Sequence, residues 1–255
     1  MTISYYPADA TKSSVGPPPW GLQVVRGLVP GVTAVNLFGY HDTVGTAFMT
    51  LWEGAADYVF PTSAGVMTLV SSSASDTGTA KVLISGLDTN WALQSETVTL
   101  NGTTPVTTAN SYLRINSMVL TGPASGNTTN VGNITLYKAA APAVIYGQIN
   151  AGIGRMQNSF YSVPAGYNFY LNNVNAYSGD VNGNGYVKYR VQNTNNALAN
   201  PTTFTVLQTT FQLSFQILRT NPFPYGEKTD VRWQFAVNTG THEVSIVLEA
   251  VLIAN

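Results

Sequence analysis

An all-β fold, two tandem antiparallel sandwich- or barrel-like domains behind an extended Pro-rich N-terminal arm, is what this sequence predicts. Three observations carry the prediction. Stretches of alternating apolar and polar residues recur along the chain, punctuated by Gly, Asn, Pro and Thr. No window longer than one or two turns favours a helix. The polar side chains are Thr, Asn, Ser and Gln rather than charges: charged residues are 9% of the chain, against about 25% in an average domain. Thr is β-branched and suits a pleated surface, while Asn and the 23 Gly supply tight turns. A length of 255 residues with 44% hydrophobic side chains is enough for two cores.

Residues 1–30 read as the arm. Pro7, Pro17, Pro18, Pro19 and Pro30 fix φ and remove backbone donors, which favours an extended polyproline conformation over a ladder. Tyr5, Tyr6 and Trp20 are large amphipathic groups that such a segment cannot bury alone. They have two destinations, the arm's own domain or a neighbouring subunit. Tyr5, Tyr6, Pro17, Pro18, Pro19 and Trp20 are therefore the candidate partner contacts.

Residues 31–141 form the first expected domain. Strands are read at 47–52, 66–70, 81–84 and 96–100, with Asn101-Gly102 as a hairpin signal after the last. A long strand is expected at 112–120, a Gly/Asn/Thr loop at 121–132, and a closing strand at 134–137. Lys138-Ala139-Ala140-Ala141-Pro142 reads as a linker to the second domain, 142–255. There, strands are expected at 159–163 and 167–171 around a Pro164-Ala165-Gly166 turn, with a bulge at Asn172-Asn173. Further strands are read at 186–191, 211–217, 230–237 and 243–252, the last two joined by a turn at 238–241. Phe211, Leu213, Phe215 and Ile217 fall on one face at period two.

The inventory for catalysis is thin. There is no Cys, so no thiolate chemistry and no disulfide. His41 stands beside Asp42, and His242 beside Glu243. Neighbours on a strand point to opposite faces, so neither pair is expected to act as a dyad. No nucleophile elbow, zinc-protease helix or P-loop motif occurs. The twelve acids allow some pair to flank a sugar, but most sit beside turns, where they cap backbone. The segment 179–186 places Asp180, Asn182, Asn184 and Gly185 where a calcium loop has its first, third, fifth and sixth positions. Val191 stands where the bidentate Glu belongs, so a plain hairpin turn is expected. No enzyme, cofactor or metal is predicted.

Charge limits the partners. The net charge is −1 and the eleven Lys and Arg are scattered, which leaves no basic patch for nucleic acid. No basic-then-apolar leader and no membrane-length apolar run appears, so synthesis in the cytoplasm and no membrane contact are expected. So neutral a surface resists association poorly, and homo-oligomers or other partners are expected to cover part of it. The 14 Tyr and 4 Trp could stack on sugars or serve as core; the sequence leaves both open.

Several segments together resemble virion structural proteins of tailed bacteriophages of aquatic bacteria, cyanobacterial phages among them. They are Ile3-Ser4-Tyr5-Tyr6-Pro7, Val15-Gly16-Pro17-Pro18-Pro19-Trp20-Gly21-Leu22-Gln23, Ile84-Ser85-Gly86-Leu87-Asp88, Glu96-Thr97-Val98-Thr99-Leu100-Asn101-Gly102 and Val163-Pro164-Ala165-Gly166. The resemblance carries no catalytic residue. It implies a capsid decoration (cement) protein, a trimer on the capsid exterior that braces the major capsid protein. The alternative it leaves is a tail or head-fibre component that binds a host surface glycan. An enzyme acting on polysaccharide is the third reading.

Overall fold

The computed structural model describes residues 18–179 and 185–255. In chain order the elements are α1 Trp20–Val25, β1 Val32–Val44, β2 Met49–Thr50, β3 Gly65–Ser71, β4 Lys81–Leu87, β5 Leu93–Thr99, β6 Val106–Tyr112, β7 Arg114–Gly122 and β8 Ile134–Lys138. There follow β9 Ala141–Ile149, β10 Phe160–Ser162, β11 Tyr167–Ser178, β12 Val187–Asn195, β13 Thr202–Phe211, β14 Ser214–Tyr225, β15 Thr229–Val237 and β16 His242–Ala254. Strand makes up 60% of the chain and the helix has six residues, so the all-β expectation holds.

The strands form four antiparallel sheets, arranged like the blades of a four-bladed propeller. The first is ordered β1-β16-β11-β14 and the second β10-β15-β12-β13, with β2 also on β15. The third is β6-β3-β8-β9 and the fourth β5-β4-β7. The connectivity differs from a chain of up-and-down blades, because most connections carry the chain from one sheet to another. Set the two-residue β2 aside and number the strands of the first two sheets in chain order. The sheets then read 1-8-3-6 and 2-7-4-5, which is the double Greek-key order of a jelly roll.

Apolar side chains gather in two clusters. One lies between the first two sheets and includes Leu37, Phe169, Val174, Tyr189, Trp233 and Leu248. The other lies between the third and fourth sheets and includes Met67, Ile84, Ile115, Met118 and Leu136. Successive residues of a strand point to opposite faces, and β10 uses this: Tyr161 enters the first cluster and Phe160 the second. The second sheet is thus a wall shared by both cores.

This division is not a cut at residue 141. β1 pairs with β16 from Val32↔Ile253 onward, so the two ends of the described chain share a sheet. The segment 138–142, expected as a linker, closes the β8–β9 hairpin. Strands β3–β9 are an insertion between the first and second strands of the jelly roll, β1 and β10. Turn composition marks where a strand stops but carries no information on which distant strand it joins.

The same blindness explains three local corrections. Asn101-Gly102 does not close a hairpin between β5 and β6: β5 pairs with β4, and β6 with β3. The turn crosses between sheets, with Gly102 at φ +57° and its N–H donating to the Asp76 carbonyl at 2.9 Å. The expected strand at 112–120 is broken at Leu113, where the chain leaves the third sheet for the fourth. The expected strand at 211–217 is broken at Gln212-Leu213, leaving Leu213 exposed while Phe211 and Phe215 stack over the core at 5.2 Å. The predicted bulge, by contrast, is present. β11 shifts register against both neighbours between Leu171 and Asn173.

Candidate functional site: the helix groove and the junction of the two cores

The candidate contacts Tyr5, Tyr6 and Pro17 lie outside the described residues. Pro18 is half-buried and Pro19 exposed. From Trp20 the chain is helical, not extended as expected. Pro19 has the polyproline conformation, φ −50° and ψ 145°, and its carbonyl accepts from the N–H groups of Leu22 and Gln23. The helix ends on a glycine cap: Gly27 at φ +69° donates to the Val24 carbonyl and Leu28 to that of Gln23. Gly27 was the available signal, and the proline run obscured it.

Only Gln23 and Val24 of α1 are buried. Trp20, Leu22, Val25 and Leu28 remain exposed, Val25 at 67%. Between α1 and the outer face of the first sheet lies an open groove of about 290 Å³. Its walls are Trp20, Val24 and Val25 on one side and Ala34, Glu249 and Val251 on the other, with the bulge residue Asn172 at its edge. The bulge is therefore part of the groove as well as a register device.

The junction between the cores was not legible. β15 alternates Asp230-Val231-Arg232-Trp233-Gln234-Phe235, and Val231, Trp233 and Phe235 enter the jelly-roll core. The opposite, polar face is covered by the inserted unit. Arg114 of β7 and Asp230 form a buried two-pronged pair, Nε to Oδ1 and Nη2 to Oδ2 both at 2.8 Å. Ser162 and Asn196 also donate to the Asp230 carboxylate, at 2.5 and 2.9 Å. Arg114 donates further to the carbonyls of Pro61 and Leu113 and lies over the Trp91 ring at 4.6 Å. The Asn116 side chain closes a reciprocal pair with the Ser162 backbone, 2.9 Å each way. Such a network specifies one relative placement of two units, and its charges are saturated by protein. It has the chemistry of a structural clasp.

Glu53 sits at the same junction, where the chain enters the insertion. Its carboxylate accepts from the backbone N–H groups of Asn150 at 3.1 Å and Gln157 at 3.3 Å. Burial outweighs those bonds and pushes its pKa up to about 7.

The two histidines stand apart from any such cluster. His41 Nδ1 accepts from the Thr43 N–H at 3.1 Å and lies 3.6 Å from Asp42, nearer than opposite-face geometry predicts because the strand register shifts after His41. His242 Nε2 is 3.0 Å from the Thr239 carbonyl. Asp180, Asn182 and Asn184 of the calcium-like loop lie outside the described residues, and Gly185 borders them. Among the described residues no three His, Asp or Glu side chains are placed to hold a metal ion, and no helix is long and apolar enough to cross a membrane.

No protein-family model matches the chain, and no curated protein matches it. Among solved structures, a bacterial lipoprotein from Bacteroides thetaiotaomicron aligns over 85% of this chain and 100% of that one, at 10% identity and a TM-score of 0.17, a likeness too slight to argue from.

Proposed function

We propose that this protein is a non-enzymatic structural component of a phage virion, a capsid decoration protein that braces major capsid subunits from outside. The observation that supports this reading most is the jelly-roll strand order, a scaffold used by shell proteins and by lectins. It is an analogy of fold and assigns no partner by itself. Exposed apolar side chains on and just after α1 give the scaffold something to bind with: Trp20, Leu22, Val25 and Leu28 lie in one short segment beside an open groove. Many copies making such contacts at once would hold a shell through avidity rather than through one tight site. A trimer at the junctions of capsid subunits is the assembly this reading expects.

The rival is a fibre or tail component that binds host glycan, since lectins share the scaffold. One pair of measurements separates them. Trp20→Ala should lower occupancy on empty capsids of the phage while leaving the thermal melt of the free protein nearly unchanged, because Trp20 is 43% exposed. Wild-type protein that ignores capsids and binds a host glycan array would replace the capsid reading with the fibre one. A collapsed melt with unchanged binding per folded molecule would show that α1 serves only its own domain.

A further inference from the structure

A strand at the edge of a sheet shows a row of unpaired N–H and C=O groups, and folded proteins blunt such edges with charge, proline, bulges or cover. Most edges of this molecule carry a visible device. Glu96 of β5 accepts from the N–H groups of Ala109 and Asn110, at 2.9 and 2.7 Å, and so ties the β5 edge to the β6 edge. Asn116 closes the short edge strand β10. The β9 edge ends on Glu53, which takes the N–H of Asn150 just beyond it. β1 has Arg155 over its Phe38 ring at 4.6 Å and carries His41 and Asp42 toward its end. β14 has Arg219, Pro222 and Pro224, and skips four residues against β11 between Leu218 and Phe223. β7, the other edge of the fourth sheet, is covered by residues 154–156: the Leu120 N–H donates to the Gly154 carbonyl and the Met156 N–H to the Met118 carbonyl, both at 2.8 Å.

β13 is the exception. It is ten residues long, Thr-Thr-Phe-Thr-Val-Leu-Gln-Thr-Thr-Phe, with no charge and no proline. It pairs with β12 on one side, and among the described residues no strand lies on the other. Its single bulge, at Val206, interrupts the β12 ladder without placing a charge on the edge. Phe204 on the strand and Leu198 before it are about half exposed.

We infer that β13 is a contact between copies of this chain, in which two β13 edges pair antiparallel about a two-fold axis and join two second sheets into one. An unpaired ladder calls for a partner that brings its own ladder. The side chains point to a second copy. In a two-fold contact the same patch meets itself, and in every register of β13 on β13 the facing residues are Thr, Gln, Phe, Val or Leu. No like charges are opposed, and five threonines offer cross-strand hydroxyl pairs of the kind already made between Thr194 and Thr203 at 2.7 Å. An acidic or basic peptide would find no counter-charge on this strand. The contact is independent of the capsid reading. It would join protomers, or trimers, whatever the virion contact is.

The test is sedimentation velocity of the full chain over a range of concentrations, with amide hydrogen exchange at the two extremes. The comparison variant is Thr205→Lys with Gln208→Lys, both at exposed positions. Wild type should show a two-fold step in mass with concentration, with β13 amides protected only in the larger species. The double lysine variant should still fold, with its melt lowered slightly because position 208 faces Arg190 across the β12 ladder, and should weaken self-association by about tenfold or more. A wild type with no such step, or a lysine variant that associates equally well, would overturn the contact. So would β13 amides already protected at the lowest concentration, since the chain would then cover its own edge, or amides protected only on addition of capsids, since the occupant would then be another protein.

Discussion

Glu53 shows how one side chain can set a pH dependence. Burial raises its pKa to about 7 in the folded chain, above the ordinary carboxylate value that the unfolded chain has. The folded state therefore holds the proton longer. Its contribution is fully present below the ordinary carboxylate pKa and is lost as pH rises from there through about 7. The loss should be about 2 kcal/mol once screening of this incompletely buried group is allowed for. Glu53→Gln keeps the neutral form at all pH. Urea melts at about pH 5 and pH 8 should show the wild type losing stability over that interval and the variant nearly flat. A wild type as flat as the variant over the same interval would mean that the two backbone N–H bonds match or outweigh burial, since a lowered pKa changes stability only below that range. The Arg114–Asp230 pair is a different case. With four further donor or acceptor partners around it, it acts by making one docking of the two units better than others.

At the scale of elements, most of the specificity lies where the chain changes sheets. Gly102 serves such a crossing. A Cβ there would sit 2.9 Å from the Ala74 carbonyl oxygen, at a φ of +57°. Gly126 also has positive φ, +86°, but nothing within 4 Å of an added Cβ. Gly126→Ala should cost about 1 kcal/mol, the left-handed strain alone. Gly102→Ala should cost about 2–4 kcal/mol, because the Ala74 backbone must also move. Equal costs in a chemical-denaturation comparison would show that the Ser72–Ala74 segment yields freely and does not fix the crossing. Gly86 acts on the same principle, since a Cβ there would fall 2.1 Å from the Arg114 carbonyl oxygen, where β7 passes β4.

At the scale of the whole molecule, the insertion enters and leaves at one place. The Leu51 N–H donates to Ser159 Oγ at 2.9 Å, the Ser159 N–H donates to the Leu51 carbonyl at 2.8 Å, and Trp52 bridges to Asn158. The jelly-roll core draws on residues before and after the insertion. Replacing residues 53–157 by a short Gly–Ser link should therefore leave a folded, β-rich protein. Its melting temperature should fall by several degrees, because Phe160 loses the stacked Tyr58 ring and Asp230 loses Arg114. Far-UV circular dichroism with a thermal melt decides the matter. A chain without a cooperative transition would show that the shared wall needs both cores.

The sequence by itself determined what is local. Period-two alternation and turn residues placed most strands, and the paired asparagines at 172–173 marked the bulge, because side-chain facing and backbone φ are set within a few residues. Only the tertiary structure decided that β1 closes on β16, that β3–β9 are an insertion, and that Asn101-Gly102 turns between sheets rather than within one. Each of these is a pairing between residues far apart in the chain, and an edge strand reads the same whichever neighbour it will meet. The clasp was hidden for the same cause. Arg114 and Asp230 are 116 residues apart, and each looks like one more polar position on an alternating strand until folding sets the two faces against each other.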